Sequence, residues 1–587
     1  MFTSGMTGLL GKRERFQVRG LLLTLPGVFL CCCLNTAEAQ PTPKNQQSSR
    51  KMSFSPIVDL NRARTIVAPK TTTTTPAAAP IPLANTFLLH SLPTATKTIY
   101  LDFDGHTTIN TSWNSITGGA ITSVPFSIDS NRAFSNTELL AIQEIWRRVA
   151  ECYSPFNVDV TTQAPPAGDL VNSGAGDTRW GMRVVIGRTT PNPFDGAGGV
   201  AFVGSFTDST DTGCFVFPER LGNVSKWIAD AAIHEVGHTL GLNHDGRVSP
   251  AEAYYTGQGT GVTGWAPHMG VGYYQNLVQW SKGEYLSANN LEDDLAIITT
   301  QNGFGYRSDD YANDRVSAAA IAGTRGTGAN AGVFNVAQTG VITTRTDTDW
   351  FKITAGNGTL TVNATGGEAN TMLDIQMELY SSTGSLIASS NPTNELTASI
   401  SRSVTAGVYY IRIDGVGNGS VTGTGYSDYS SIGTYNLAGT FVAPPTFTAS
   451  TVMASYSSAT KTLSLIGDAR ANSLTVSLQS GSLKIEGANG TSIGITGGGG
   501  VVTTSSSQTF AHSGKLILNA EMGEGDDAIA VIGVDSSTMT LNLGGGSDKS
   551  ALTLCNVTTL TVNGGTGTDI LTTTSSTIGT FNKLNLP

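Results

Sequence analysis

Three of the chain's seven histidines, His234, His238 and His244, sit within one short stretch. Residues 233–245 read Ile-His-Glu-Val-Gly-His-Thr-Leu-Gly-Leu-Asn-His-Asp. The four-residue spacing of His234 and His238 stacks both rings on one face of a helix, one turn apart. Two imidazoles so placed can hold one metal ion, and Glu235 falls beside that ion rather than on it. A helix that continued would carry His244 away. Gly241 accepts a positive φ, ends the helix and turns the chain back, so that His244 can approach as a third ligand. Three histidines leave the fourth position of a tetrahedral zinc ion for water, as a catalytic site needs. Any fold for this chain must therefore seat a helix beside a sharp reversal.

At 587 residues the chain exceeds one hydrophobic core, and several domains are expected. Only 13% of residues are charged and 69 are glycine, which favours strands and tight turns over helix. A net charge of −10 argues against nucleic acid or an anionic membrane as partner. Residues 1–39 read as a signal peptide. Lys12, Arg13, Arg15 and Arg19 precede an apolar run over 20–34, and Ala37-Glu38-Ala39 sets cleavage before Gln40. Leu30 fits poorly before a lipid-bearing Cys31, so plain export is expected, and no other stretch is a candidate span. Export leaves Cys152, Cys214 and Cys555. An oxidising compartment would let Cys152 and Cys214 pair, and two buried free thiols are the equal alternative.

Residues 40–95, rich in Gln, Ser, Thr and Pro, are expected to be a disordered pro-segment or linker. They hold no cysteine to silence a zinc site, and Asp59 and His90 are weak substitutes. From residue 96 to about 306 the pattern reads strand, helix, strands, long helix, loop, helix: one α/β domain. Strands are expected over 98–103, 156–161, 182–186, 200–205 and 214–217. Helices are expected over 137–152, with Asn136 as N-cap, and over 224–240 and 291–300. Residues 309–441 show short strands at regular spacing, the pattern of a β-sandwich. Residues 451–587 are an all-β module. Gly523-Glu524-Gly525-Asp526-Asp527, Gly544-Gly545-Gly546-Ser547-Asp548 and Gly565-Thr566-Gly567-Thr568-Asp569 repeat Gly-x-Gly-x-Asp at a constant 21-residue period. One turn motif per period implies stacked β-coils or repeated hairpins.

The long histidine motif resembles the metzincin clan of zinc peptidases, and Asp245 after the third histidine resembles the reprolysin or adamalysin branch. The resemblance implies Zn2+ on His234, His238 and His244, Glu235 as catalytic base, and a methionine turn beneath the metal. Trp265-Ala266-Pro267-His268-Met269-Gly270 supplies Met269 for that turn. Where some metzincins carry a tyrosine two residues on, this chain has Val271, with Tyr273 and Tyr274 beyond it. His268 is not taken as a ligand, and Asp245 is expected to make a structural hydrogen bond. The scarcity of cysteine points to a bacterial relative. Residues 309–441 resemble the bacterial pre-peptidase C-terminal domain through Asp347-Thr348-Asp349-Trp350-Phe351, Gly407–Ile413 and Tyr426-Ser427-Asp428-Tyr429. Such domains accompany secreted peptidases.

Asp309, Asp310, Asn313 and Asp314 offer hard oxygen ligands for structural Ca2+, with a solvated linker as the alternative. The 21-residue units resemble repeats-in-toxin calcium turns in part, and glycine turns without metal are favoured there. The expected function is a secreted, monomeric zinc metalloendopeptidase acting on proteins and peptides. It would lie outside the cell or on a bacterial surface. An extended peptide could add to the strand over 200–205 as a further edge strand. Two other functions stay in view: an adhesion protein with an inactive zinc domain, and a zinc hydrolase of another bond. Glu235 and all three histidines together favour activity.

Overall fold

The computed structural model describes residues 51–56, 81–129, 131, 133–190, 196–327, 332–367, 371–444, 450–496 and 502–586. The expected signal peptide and Asp59 lie outside the described residues.

The first part of the chain builds a six-stranded sheet with three helices that matter to the site. Its elements are β1 (Met52–Pro56), β2 (Lys97–Asp102), α1 (Asn136–Tyr153), β3 (Asp159–Thr161), β4 (Trp180–Ile186), β5 (Ala197–Phe202), β6 (Cys214–Val216), α2 (Ser225–Thr239) and α3 (Asp294–Gln301). The sheet order is β1-β5-β6-β4-β2-β3. β3, β2, β4 and β6 run parallel. β5 turns antiparallel to β6, and β1 pairs antiparallel with β5. β2 is buried along its whole length, as a central parallel strand must be. The charges at its ends are matched: Lys97 Nζ donates to Thr178 O at 2.6 Å, and Asp102 accepts from Arg183 at 2.6 Å.

α1 begins one residue earlier than the sequence reading placed it. Ser135, not Asn136, is the N-cap, because Glu138 three residues on closes a capping box. The Ser135 N–H donates to the Glu138 carboxylate at 2.7 Å. α1 lies against α2, and Tyr153 Oη donates to Ile233 O at 3.2 Å, tying the two helices. α2 is buried without a break from Ile228 to Thr239. A helix enclosed on all sides belongs to the core, and this one runs beside β5.

One open alternative is decided and one expectation needs correction. Cys152 and Cys214 are buried and not joined in a disulfide, the second of the two alternatives. The segment 40–95 is not a disordered spacer throughout. Residues 52–56 form β1, whose Met-Ser-Phe-Ser-Pro alternation matches an edge strand. Residues 81–95 pack against the opposite edge, where His90 Nδ1 bonds Asp159 at 2.6 Å and is remote from α2.

The middle of the chain forms two five-stranded sheets. Strand Thr348–Ala355 alternates strictly, with Asp349, Phe351, Ile353 and Ala355 turned inward. Its core is continuous with that of the α/β part, from Ile99 through Phe441. Polar contacts reinforce the join: Thr434 N donates to the Glu151 carboxylate at 3.0 Å, and Leu295 N to Tyr429 Oη at 2.9 Å. The last part has its own core. Its repeats are stacked parallel coils rather than hairpins, with Ala528 beside Lys549 and Lys549 beside Ile570. The aspartate ending each repeat caps its neighbour: Asp527 N donates to Asp548 Oδ1 at 2.7 Å, and Asp548 N to Asp569 Oδ1 at 3.0 Å. That bonding gives the repeated aspartate a structural role in every coil. Among the described residues no helix is long and apolar enough to cross a membrane.

Candidate metal centre

α2 carries His234, Glu235 and His238 into the core, and the chain reverses straight after it. Gly241 has φ 109°, a left-handed conformation that side chains disfavour. Leu242 N then donates back to Gly237 O at 3.1 Å, and Asn302 Nδ2 donates to Leu240 O at 3.0 Å. The reversal returns His244 to the face that holds the other two rings.

The tautomers follow from the bonds. His234 Nδ1 donates to His268 O at 2.9 Å, and His238 Nδ1 donates to Leu242 O at 2.8 Å. A carbonyl only accepts, so each Nδ1 carries the hydrogen and each neutral ring keeps a lone pair on Nε2. His238 Nε2 lies 3.0 Å from His234 Nε2 and 2.9 Å from His244 Nε2. Burial pushes His234 down to about 3 and His238 well below the ordinary histidine value, so a shared proton is no remedy. A cation between the rings is. Three imidazoles converging through Nε2, two of them steered by backbone carbonyls, fit a zinc ion.

Glu235 is completely buried, and burial pushes its carboxyl up to about 8 against the pull of Ser55. It lies beside the imidazoles and flush with β5: a Cβ added at Gly199 would sit 2.7 Å from its Cγ. Met269 lies beneath the helix. A Cβ at Gly237 would come within 2.5 Å of its Sδ, so glycine is what lets helix and methionine meet. Asp245 N donates to Met269 O at 2.9 Å, which couples the segment after His244 to the segment of Met269. The Asp245 carboxyl is buried and raised by that burial and by Glu292. His268 turns its ring onto Trp280, with centroids 4.6 Å apart, and stays outside the ligand cluster.

Four residues at the centre were not found from sequence. Tyr254 packs its ring on His244 at 4.3 Å. Ser55 N donates to Glu235 Oε1 at 2.8 Å, and Ser53 Oγ lies 2.9 Å from His244 Nε2. Tyr273, noted in the sequence only as lying beyond Val271, donates through its hydroxyl to Pro56 O at 3.0 Å. Lys51 Nζ donates to Asn243 Oδ1 at 2.9 Å. The alternation in residues 52–56 was the available signal for the serines. Nothing in the motif marks Tyr254.

The acidic segment rearranges the calcium expectation. Asp309 converges not with Asp310 and Asp314 but with Asp347 and Asp349. Asp314 instead caps a turn, accepting from Val316 N at 2.8 Å and Ser317 N at 2.9 Å. Asp310 lies alongside, accepting from Val341 N at 3.5 Å. Asp347 and Asp349 are buried, and the Oδ1 atom of each has no hydrogen-bond partner among the described residues.

Residues 169–245 match the family model described as metallo-peptidase family M12B, reprolysin-like. The matched stretch includes His234, Glu235, His238, Gly241 and His244 and ends on Asp245. No curated protein matches the chain.

Proposed function

We propose, taking the M12B match as premise, that the chain is a secreted zinc-dependent endopeptidase of the metzincin kind. The convergence of three Nε2 atoms beside a buried glutamate carries this reading. Zinc, when bound, supplies Lewis acidity toward a peptide carbonyl and toward water. His234, His238 and His244 would hold it, with the carbonyls of His268 and Leu242 fixing two rings. Glu235 takes a proton from water on its carboxylate and returns it to the leaving amine. The β5 edge, which β1 covers in this structure, would align an extended peptide through its backbone groups, which selects protein and peptide substrates. Export follows from the basic and apolar N-terminal pattern, and a bacterial source from the cysteine-poor metzincin motif and the C-terminal resemblance.

The middle β part serves as an accessory module, and calcium is assigned to Asp309, Asp347 and Asp349. Two buried carboxylate oxygens without donors suit a hard cation better than they suit one another.

Zinc content and casein cleavage test the reading together. Glu235→Gln should retain one zinc per chain and lose turnover by about 1,000-fold or more. A protein without stoichiometric zinc, or a Glu235→Gln variant with full activity, would end the proposal.

A further inference from the structure

The groove beside the metal centre already has an occupant. β1 pairs antiparallel with β5 from Met52↔Phe202 to Ser55↔Gly199, with the register shifting at Pro56. It therefore takes the edge to which an extended substrate would add. Ser53 and Ser55, two residues apart on a strand, point to the same face, and both are buried. The Ser55 N–H occupies one oxygen, Oε1, of the Glu235 carboxylate. The Ser53 hydroxyl lies against the Nε2 of His244. The strand is pinned at both ends, by Lys51 on Asn243 and by Tyr273 on the Pro56 carbonyl.

We infer that residues 51–56 are an intramolecular, thiol-free inhibitor that keeps the groove closed until the segment is cut away or displaced. A serine hydroxyl is a weak ligand compared with a thiolate. The hold must therefore come from the backbone ladder and the Glu235 bond, which makes it reversible. The ladder also defines what the groove accepts: an extended peptide with small residues at two alternate positions facing the centre. The inference rests on the peptidase reading only for the activity that is blocked. The occupancy has its own readout.

The test uses the full chain, loaded with zinc and carrying a recognition site for a specific processing protease inserted after Lys70. A fluorescent peptide of residues 50–57 is titrated against intact and cut, dialysed protein by anisotropy, alongside turnover of a quenched peptide substrate. The expected result is saturable binding to the cut form, little binding to the intact form, and a gain of about 10-fold or more in kcat/KM on cutting. The same peptide with an N-methyl group on Ser55 should bind about 10-fold more weakly, because the bond to the carboxylate is gone. Equal binding to both forms, no binding to the cut form, or no effect of N-methylation would overturn the inference. Binding to the cut form alone, with neither form hydrolysing the substrate, would uphold the occluding strand and overturn the peptidase reading instead.

Discussion

His234 donates its Nδ1 hydrogen to the backbone carbonyl of His268 at 2.9 Å, so the residue before Met269 sets the tautomer of the first histidine of the cluster. His268 is itself held from the next strand, its N–H donating to Gln279 O at 2.8 Å. The Gln279 side chain accepts from Trp265 Nε1 at 2.9 Å and donates to Met372 O in the middle β part. Gln279 is thus a positioning residue. Gln279→Leu would leave a buried indole N–H and a carbonyl unpartnered, costing about 2–4 kcal/mol of stability. It would also loosen the carbonyl that steers His234, and zinc affinity should fall about 10-fold. Chelator competition measures that fall. Unchanged zinc affinity in a merely destabilised variant would show the chain of contacts to be structural only.

Gly237 and Met269 meet so closely that a methyl group cannot be added freely. Gly237→Ala should cost about 1–3 kcal/mol through overpacking against the Met269 sulfur. Met269→Ala alone should cost about 2–4 kcal/mol, as deletion of a fully buried side chain. The double variant should cost less than the two singles together, since each change relieves the other. Denaturant titration of the four proteins gives the coupling, and strict additivity would mean the two residues do not press on each other.

Asp347 and Asp349 carry a prediction separable from zinc. If the trio with Asp309 holds calcium, calcium should raise the Tm of the wild-type protein relative to chelation. Asp349→Asn should abolish that rise while zinc content stays the same. In chelator the sign reverses, because Asp349→Asn removes one of two buried neighbouring carboxyls and should raise the Tm. Differential scanning fluorimetry with and without calcium reads both effects. A calcium response that survives Asp349→Asn would rule out this site.

The convergence of the three histidines was legible because it is local. Spacing four on a helix, a glycine, then a third histidine are consecutive facts of one segment, and Gly241 has the positive φ they required. The acidic cluster was misread for the opposite reason. Of the sequence neighbours Asp309, Asp310 and Asp314, Asp309 converges with Asp347 and Asp349, about forty residues further on, while Asp314 caps its own turn. β1 was hidden because its partner, β5, is about 150 residues away in sequence. A polar, proline-bearing segment gains its order from the edge it covers, not from its own propensity. Cysteine pairing could not be read at all, since separation in space is what decides it.

Asp374 offers a test of pH dependence in the middle β part. Its Oδ2 accepts from Tyr426 Oη at 2.7 Å, yet burial outweighs that bond and pushes the carboxyl up to about 6 from 3.8. The folded state thus holds a proton that the unfolded chain releases between these values. The associated stability is fully present below pH about 4 and is lost as pH rises through about 6. A shift of that size corresponds to at most ~3 kcal/mol. Asp374→Asn keeps the acceptor for Tyr426 and, like the protonated acid, carries a donor at the second position. The variant should match the wild type near pH 4 and exceed it in stability near pH 7. Urea unfolding of both proteins across that range gives the difference directly. A wild-type advantage that grows with pH would mean that Asp374 is ionised and favourably paired when folded.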